Sequence, residues 1–235
     1  MKNYKRVLIK LSGEALAGEQ GFGFDEQNVR RVGEQIKPSL QQGVQISVVI
    51  GGGNFWRGRS SETMDRTKAD QVGMLATVMN ALYVSEIFRT MGIKAIVQTP
   101  FPIGNMTEVF SKDKAIEYME KGFVVFFAGG TGHPFFSTDT GAALRGCEIE
   151  VDILLFAKNI DGVYDADPKE NIHAKKYDQI PCQQILQQNL KVIDATAASL
   201  CMEQKIPVLV FGLNIPESLQ KAISGKNIGT LITVK

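Results

Sequence analysis

Residues 44–53 read Val44-Gln45-Ile46-Ser47-Val48-Val49-Ile50-Gly51-Gly52-Gly53, a run rich in β-branched residues that ends in three glycines. Strands that are buried on both faces of a parallel sheet have such runs. Glycines directly after a strand let the backbone approach an anion closely. Because ligands of open α/β sheets bind outside the carboxyl ends of the strands, this stretch predicts a buried strand and one wall of an anion-binding site.

The alternation of strand and helix continues on both sides of this stretch. Further strands are predicted at residues 6–10, 93–97, 123–127, 152–156, 207–211 and 229–234. Helices are predicted at 25–42, with Asp25 as N-cap, at about 69–91, 111–121, 138–148 and 195–205, and after Pro216. This order predicts an α/β fold with a mostly parallel sheet covered by helices on both faces. Without a repeat or a linker, we expect one domain over 1–235, with a change of role near residue 150.

Composition excludes several classes of protein. The 235 residues are 44% hydrophobic, which is enough for a buried core. The 26 Lys and Arg residues nearly balance the 25 Asp and Glu residues, so the net charge does not indicate a protein that binds polyanions in general. The apolar runs are far shorter than the roughly 20 residues of a membrane span, and the basic start lacks the apolar core of a secretory signal. Three cysteines without close spacing suggest neither disulfides nor zinc. We therefore expect a cytoplasmic protein that binds no nucleic acid and no membrane.

Three other loops follow predicted strands and are rich in glycine or polar residues: residues 10–14, 129–139 and 158–168. Together with Lys10, Ser12, Arg57 and Thr131, they predict binding of phosphate groups. The motifs of P-loop enzymes, Rossmann dehydrogenases and serine hydrolases are absent from the sequence. Histidine is scarce, which favours phosphoryl transfer to an acceptor that is already an anion, because this chemistry needs positive charge and backbone N–H groups more than a general base.

Motifs along essentially the whole chain resemble, in the same order, those of the bacterial uridylate kinases of the amino acid kinase superfamily. They are Lys10-Leu11-Ser12-Gly13-Glu14, Gly51-Gly52-Gly53-Asn54 with Arg57-Gly58, Ala69-Asp70 with Gly73-Met74-Leu75-Ala76-Thr77, residues 131–139, and Asp161-Gly162-Val163-Tyr164 with Asp167-Pro168. The first two motifs are shared across the superfamily. Residues 73–77 and 131–139 are typical of the uridylate branch.

The resemblance implies a three-layer α/β/α sandwich with a mostly parallel central sheet. It implies transfer of the γ-phosphoryl group of ATP to UMP in pyrimidine nucleotide (CTP/UTP) biosynthesis, with Mg²⁺ accompanying ATP and its protein ligands unassigned. It also implies a homohexamer activated by GTP and inhibited by UTP. The N-terminal lobe, about 1–150, would bind UMP, and the C-terminal lobe, about 151–235, would bind the ATP base.

The resemblance also assigns roles to individual residues. The ATP site would contain Lys10, Leu11, Ser12, Gly13, Gly53, Arg57, Lys158, Asn159, Tyr164 and Asp167. The UMP site would contain Gly52, Asp70, Thr131, Gly132, His133, Pro134, Phe135, Phe136, Ser137 and Thr138. Catalysis would use Lys10, Arg57 and Asp194, the last as the aspartate that holds the catalytic lysine. The GTP response would involve Gly18, Glu19, Gln20, Gly21, Phe22 and Gly23.

The sequence departs from the family pattern at three places. The segment between Arg57 and Asp70 is about two residues shorter, His133 stands where asparagine is common, and either Lys158 or Asn159 could take the polar position beside adenosine. Two alternatives stay open at this point. One is a kinase of the same fold with a carboxylate or carbamate acceptor, and the other is a non-catalytic nucleotide sensor, which could dispense with Lys10 and Arg57.

Overall fold

The computed structural model describes residues 4–56, 63–168 and 170–234. The strands are β1 (Arg6–Leu11), β2 (Gln45–Ile50), β3 (Ala95–Thr99), β4 (Glu108–Val109), β5 (Val124–Phe127), β6 (Ile153–Lys158), β7 (Gln179–Pro181), β8 (Val208–Gly212) and β9 (Thr230–Thr233). The helices are α1 (Glu14–Ala17), α2 (Glu26–Gln41), α3 (Arg66–Thr90), α4 (Lys112–Glu120), α5 (Thr138–Glu148), α6 (Cys182–Gln187), α7 (Ala195–Glu203) and α8 (Ser218–Ile223).

The strands form one sheet in the order β4-β3-β5-β2-β1-β6-β8-β9-β7. Every pair is parallel except β8 with β9. Strand β1 lies at the centre, with β2 on one side and β6 on the other, so the chain changes direction across the sheet at β1. Such a switch point opens a crevice at the carboxyl ends of the strands, and Lys10 lies at that end of β1.

Helices cover both faces of the sheet, because alternate residues of each buried strand point to opposite faces. Val7, Ile9 and Leu11 pack with residues of α2, α3 and α8. Leu8 packs on the other face, with α4, α5, α6 and α7. The three-layer α/β/α sandwich is thus confirmed. The alternation places Lys10 on the same face as Leu8, beneath α5.

The predicted strands and long helices are confirmed with shifts of a few residues at their ends. The short elements β4, β7, α1 and α6, which have two to six residues, are not predicted from the sequence. Helix α3 begins earlier than predicted, because Asp65 caps it by accepting a hydrogen bond from the Lys68 N–H at 3.1 Å. Asp70 therefore lies inside the helix and is not its N-cap.

In the part of the chain that the structure describes, no helix combines the length and apolarity needed to cross a membrane.

Candidate active site

A buried carboxylate joins two lysines at the carboxyl ends of the central strands. Lys10 of β1 and Lys158 of β6 lie on neighbouring strands, and both ammonium groups contact Asp139 in the first turn of α5. The Nζ–Oδ distances are 2.8 Å for Lys10 and 2.9 Å for Lys158. All three side chains are largely buried. Two positive charges against one negative charge leave an excess of one, which suits a phosphate group.

Burial and charge shift the pKa values of this cluster. Burial lowers the pKa of Lys158, and the nearby Lys10 ammonium lowers it further, while Asp139 opposes both effects. Burial alone would raise the pKa of Asp139, but the two ammonium groups outweigh it and hold the pKa of this carboxyl below its usual value. Asp139 is therefore ionised at neutral pH.

The carboxylate in contact with Lys10 is Asp139, and not Asp194 as the resemblance implied. Asp194 is the N-cap of α7, where its Oδ1 accepts hydrogen bonds from the Ala197 N–H at 2.9 Å and from the Thr140 hydroxyl at 2.8 Å. Its Oδ2 accepts a hydrogen bond from the Ser137 hydroxyl. The reason is geometric: Lys10 points towards the face covered by α5, whose first turn carries Asp139. Asp194 instead ties the first turns of α5 and α7 together.

The glycine loops after β1 and β2 meet in tight backbone contact. A Cβ atom on Gly13 would lie 2.4 Å from both the Gly51 carbonyl oxygen and the Asn54 Oδ1. A Cβ on Gly52 would lie 2.9 Å from the Gly73 carbonyl oxygen of α3. Only glycine fits at these two positions. Gly13 is required because the two loops pack closely, and Gly52 is required because the β2 loop packs against α3.

A cavity of about 210 Å³ lies between α3, the β2 loop and the β5 loop. Its walls are Gly52, Trp56, Arg66, Ala69, Asp70, Gly73, Met74, Thr77, Gly130, His133, Phe136, Ser137 and Thr138. Six of these residues were assigned to the UMP site by resemblance. Asp70 ties the walls together, because its Oδ2 accepts hydrogen bonds from the Phe135 N–H at 2.8 Å and from Arg66 Nε at 2.9 Å.

A second cavity of about 300 Å³ lies on the other side of the α5 N-terminus. It is lined by Ser137, Asp139, Ile185, Leu186, Asn189, Leu190, Lys191, Ile193, Asp194 and Ala195. Ser137 lines both cavities. As the N-cap of α5, it accepts hydrogen bonds from the Asp139 and Thr140 N–H groups at 3.0 and 3.2 Å. A single helix N-terminus, which attracts anions, thus separates the two cavities.

Other predicted site residues lie away from the two cavities. Tyr164 and Asp167 line neither of them, and the Tyr164 hydroxyl donates a hydrogen bond to Asp161 at 2.8 Å. Asn159 lies near the β1 loop, where its amide contacts Glu14 at 3.4 Å. Arg57 lies outside the described residues. The proposed GTP-response residues form a short 3-10 turn, Gly18–Gln20, followed by Gly21 and Gly23 with positive φ.

Sequence reasoning missed several residues of the site. Asp139 ends the 131–139 motif, whose assigned UMP-site residues stop at Thr138, although two lysines at strand ends require a counter-charge. Arg66 lies in the first turn of α3, before the predicted start of that helix, and Thr77 belongs to the 73–77 motif but was assigned no role in the site. Thr77 accepts a hydrogen bond at 2.8 Å from the Gly129 N–H, which fixes the β5 loop. Lys191 precedes α7 in a segment that has no motif.

Among the residues that the structure describes, no group of three or more His, Cys, Asp or Glu side chains is arranged to hold a metal ion. The carboxylates nearest the lysine pair, Asp139 and Asp194, are already engaged by lysine ammonium groups and by hydroxyl groups respectively.

Comparisons with known proteins agree with this fold. Residues 5–212 match the model of the amino acid kinase family. The UMP kinase of Bacillus anthracis is 34% identical, with a TM-score of 0.95 and coverage of 100% of this chain and 98% of that one. The UMP kinase of Ureaplasma parvum is 37% identical, with a TM-score of 0.92 and coverage of 99% and 100%. The uridylate kinase of Archaeoglobus fulgidus is 30% identical, with a TM-score of 0.73 and coverage of 97% and 99%.

Proposed function

The chain belongs to the amino acid kinase family, and from this premise we propose that it acts as a UMP kinase. It transfers the γ-phosphoryl group of ATP to UMP and releases UDP and ADP, a step of pyrimidine nucleotide biosynthesis. One observation carries the proposal: two cavities share Ser137 as a common wall, and the Lys10–Asp139–Lys158 cluster lies directly beside it. A donor and an acceptor can therefore meet at one positively charged point.

The reaction requires a phosphoryl group to move between two phosphate oxygens, both of which are anionic. Lys10 and Lys158 supply positive charge, and the N-terminus of α5 adds the positive end of its helix dipole. Asp139 holds both ammonium groups in place through contacts of 2.8 and 2.9 Å. No proton needs to be removed from a phosphate acceptor at neutral pH, which agrees with the absence of a histidine from the lysine cluster.

The cavity beside α3 is the proposed UMP site. Asp70 lies half-buried in its wall, and a carboxylate there would repel a phosphate group, so we place it at the ribose end of UMP. Phe136 and His133 line the wall formed by the loop after β5. Flat side chains of this kind suit a pyrimidine base. These walls belong wholly to residues before 150, which supports a UMP-binding N-terminal lobe.

The cavity beside α7 is the proposed site of the ATP donor. Most of its wall comes from residues 185–195, which supports a C-terminal lobe that binds the ATP base. Since no carboxylate cluster of the described residues is arranged for a metal, we propose that Mg²⁺ enters with ATP as part of the substrate. Neutralisation of the phosphate charges is the chemistry that it supplies. Lys191 lines this cavity and is a further candidate for contacts with ATP, whereas Tyr164 lies outside it.

A coupled assay of ADP formation tests the proposal. Purified protein is given Mg²⁺-ATP with UMP, CMP, dTMP, acetylglutamate or carbamate. We expect UMP to be the preferred acceptor and CMP a poor one, because fixed hydrogen bonds reject a base whose donors and acceptors are exchanged. Comparable kcat/KM values for UMP and CMP would contradict the assignment of the acceptor, and turnover of acetylglutamate or carbamate would restore the alternative kinase. No turnover with any acceptor would support a nucleotide sensor.

We further propose that the protein is a homohexamer that works in the cytoplasm, with GTP as activator and UTP as inhibitor. Helix α3 supports self-association, because Val72, Leu75 and Met79 form an apolar stripe on its exposed face, and the last two are about half exposed. Lys68 and Glu86 flank this stripe at equal distances from Thr77. An antiparallel pair of α3 helices from two copies would therefore match apolar residues with each other and lysine with glutamate.

A further inference from the structure

Two buried asparagine side chains form a closed pair behind the β2 glycine loop. Asn54 Nδ2 donates a hydrogen bond to Asn80 Oδ1 at 2.9 Å, and Asn80 Nδ2 donates one to Asn54 Oδ1 at 2.7 Å. Asn80 of α3 is fully buried, and Asn54 is 1% exposed. Such a pair in a low-dielectric interior has a fixed geometry, because a rotated amide would lose both bonds.

The second N–H of each amide reaches a different loop. Asn80 Nδ2 also donates to the Gly51 carbonyl oxygen at 2.6 Å, and Asn54 Nδ2 also donates to the Gly23 carbonyl oxygen at 2.8 Å. All four amide N–H donors of the pair therefore have an acceptor. The Gly23 N–H in turn donates to the Asn54 carbonyl oxygen at 3.2 Å. The pair is a continuous link from the residue 23 segment, through α3, to the first glycine of the loop.

The Ser12-Gly13 turn after β1 also contacts the asparagine pair. The space in which a Gly13 Cβ would stand is filled by the Asn54 Oδ1, 2.4 Å away, so the Ser12-Gly13 turn packs directly against this amide. Aromatic contacts outside the pair hold the same segments: the Phe24 ring stacks on Tyr83 at 3.8 Å and meets Phe55 edge-on at 5.0 Å. Three chain segments near the phosphoryl-transfer point thus take their relative positions from one amide pair.

We propose that Asn54 and Asn80 are positioning residues for phosphoryl transfer, which fix the Gly51–Gly53 backbone against the Ser12-Gly13 turn and the residue 23 segment. This inference rests on the proposed function and extends it to two residues that touch neither cavity. The backbone N–H groups of these loops stabilise charge in the transition state only when they are preorganised. Small displacements of positioning groups can cost about a hundredfold in rate.

Asn80→Asp is the sharpest test, because it keeps the side-chain size but replaces both N–H donors by oxygen. The matched control is Val84→Ala, which creates a cavity one turn further along the same helix, at a fully buried residue outside the pair. We expect Asn80→Asp to lower kcat at least tenfold below that of the control when each is assayed at the same interval below its Tm. We expect the KM for UMP to change less than kcat, because the loop contributes only Gly52 and Trp56 to the walls of the UMP cavity, whereas Asp70 and the β5 loop are not held by the pair.

Fluorescence gives a readout that does not depend on turnover. Trp56 is the single tryptophan, and its backbone N–H donates to the Gly52 carbonyl oxygen at 2.9 Å while its indole N–H donates to the Ala69 carbonyl oxygen at 2.8 Å. Its emission therefore reports the position of the glycine loop. We expect a red shift and stronger acrylamide quenching in Asn80→Asp, and no change in Val84→Ala.

An emission spectrum unchanged in Asn80→Asp, with kcat within twofold of that of the control, would overturn the proposal. If Asn80→Asp does not fold, Asn54→Ala takes its place, since it leaves the bond from Asn80 to Gly51 intact, and the same criteria apply. If the unmodified protein does not phosphorylate UMP, the proposed function fails, whereas the Trp56 emission of the variants still decides whether the pair positions the loop.

Discussion

Lys10 is buried at the end of β1, and its ammonium group faces the point where the two cavities meet. Its charge is needed most while the phosphoryl group moves between two anions, so Lys10→Ala should lower kcat by about a hundredfold or more, in line with the loss of one preorganised donor. The KM for UMP should change much less. Steady-state kinetics check this, and a variant within a few-fold of the parent would remove Lys10 from the mechanism.

Lys158 gives the reaction a pH dependence. Because burial holds its pKa below the ordinary lysine value of 10.5, the free enzyme loses this charge at a lower pH than an exposed lysine would. The charged form is the one that binds phosphate, so kcat/KM for ATP should fall as the pH rises, with a midpoint below 10.5. Lys158→Arg keeps its charge at all accessible pH values. In a pH–rate profile, the fall in kcat/KM at alkaline pH should occur at a higher pH in that variant than in the parent. If the fall occurs at the same pH in both proteins, deprotonation of Lys158 is not its cause.

Asp70 distinguishes a substrate role from a structural one. We expect Asp70→Asn to raise the KM for UMP about tenfold or more, through the loss of a charged acceptor for ribose hydroxyls. The KM for ATP should stay within about threefold, and the preference for UMP over dUMP should narrow. Asp65→Ala is the control, because Asp65 is the actual N-cap of α3. It should lower the free energy of unfolding by about 0.5–2 kcal/mol with both KM values intact. If Asp70→Asn lowers the Tm and leaves both KM values unchanged, Asp70 does not belong to the acceptor site.

At the scale of elements, the first turns of α5 and α7 meet at two aspartates with different tasks. Asp139 holds two lysines, whereas Asp194 holds the hydroxyl groups of Ser137 and Thr140. Asp139→Asn should therefore lower kcat about a hundredfold or more, because it leaves two buried ammonium groups without a counter-charge. Asp194→Asn should cost about tenfold or less, since asparagine is an equally good N-cap. Kinetics of the two variants, with Tm values measured alongside, decide between them. If kcat falls more in Asp194→Asn than in Asp139→Asn, Asp194 is the aspartate that holds the catalytic lysine.

At the scale of the whole molecule, the apolar stripe on α3 sets the expected assembly. Leu75 lies near its centre and is 51% exposed. In an antiparallel pair of α3 helices centred on Thr77, Leu75→Glu would place a charge against the apolar Met79 of the facing helix, so we expect a smaller species than the parent in sedimentation velocity. Lys114→Glu, on the exposed side of α4, is the control and should leave the assembly unchanged. An unaltered sedimentation coefficient in Leu75→Glu would exclude α3 as a contact between copies.

The sequence alone determined the layers of the fold and the general position of the site. Continuous apolar strands such as 44–50 can be buried only in a sheet covered on both faces, and glycines after parallel strands converge at one edge. Both features are local, because they depend on the spacing of apolar residues along the chain and on the backbone angles that each residue allows. Short elements such as β4 and β7 were missed, because two or three residues carry no period.

Only the tertiary structure decided which charged groups meet. Lys10, Asp139 and Lys158 come from three separate elements, and their contact depends on the strand order that places β1 beside β6 and on the face that α5 covers. The same holds for Asn54 and Asn80, which lie 26 residues apart and pair because α3 crosses behind the glycine loop. Hydrogen bonds and ion pairs act over a few ångströms in space, whereas the sequence records only separation along the chain, so these partners emerge when the sheet is assembled.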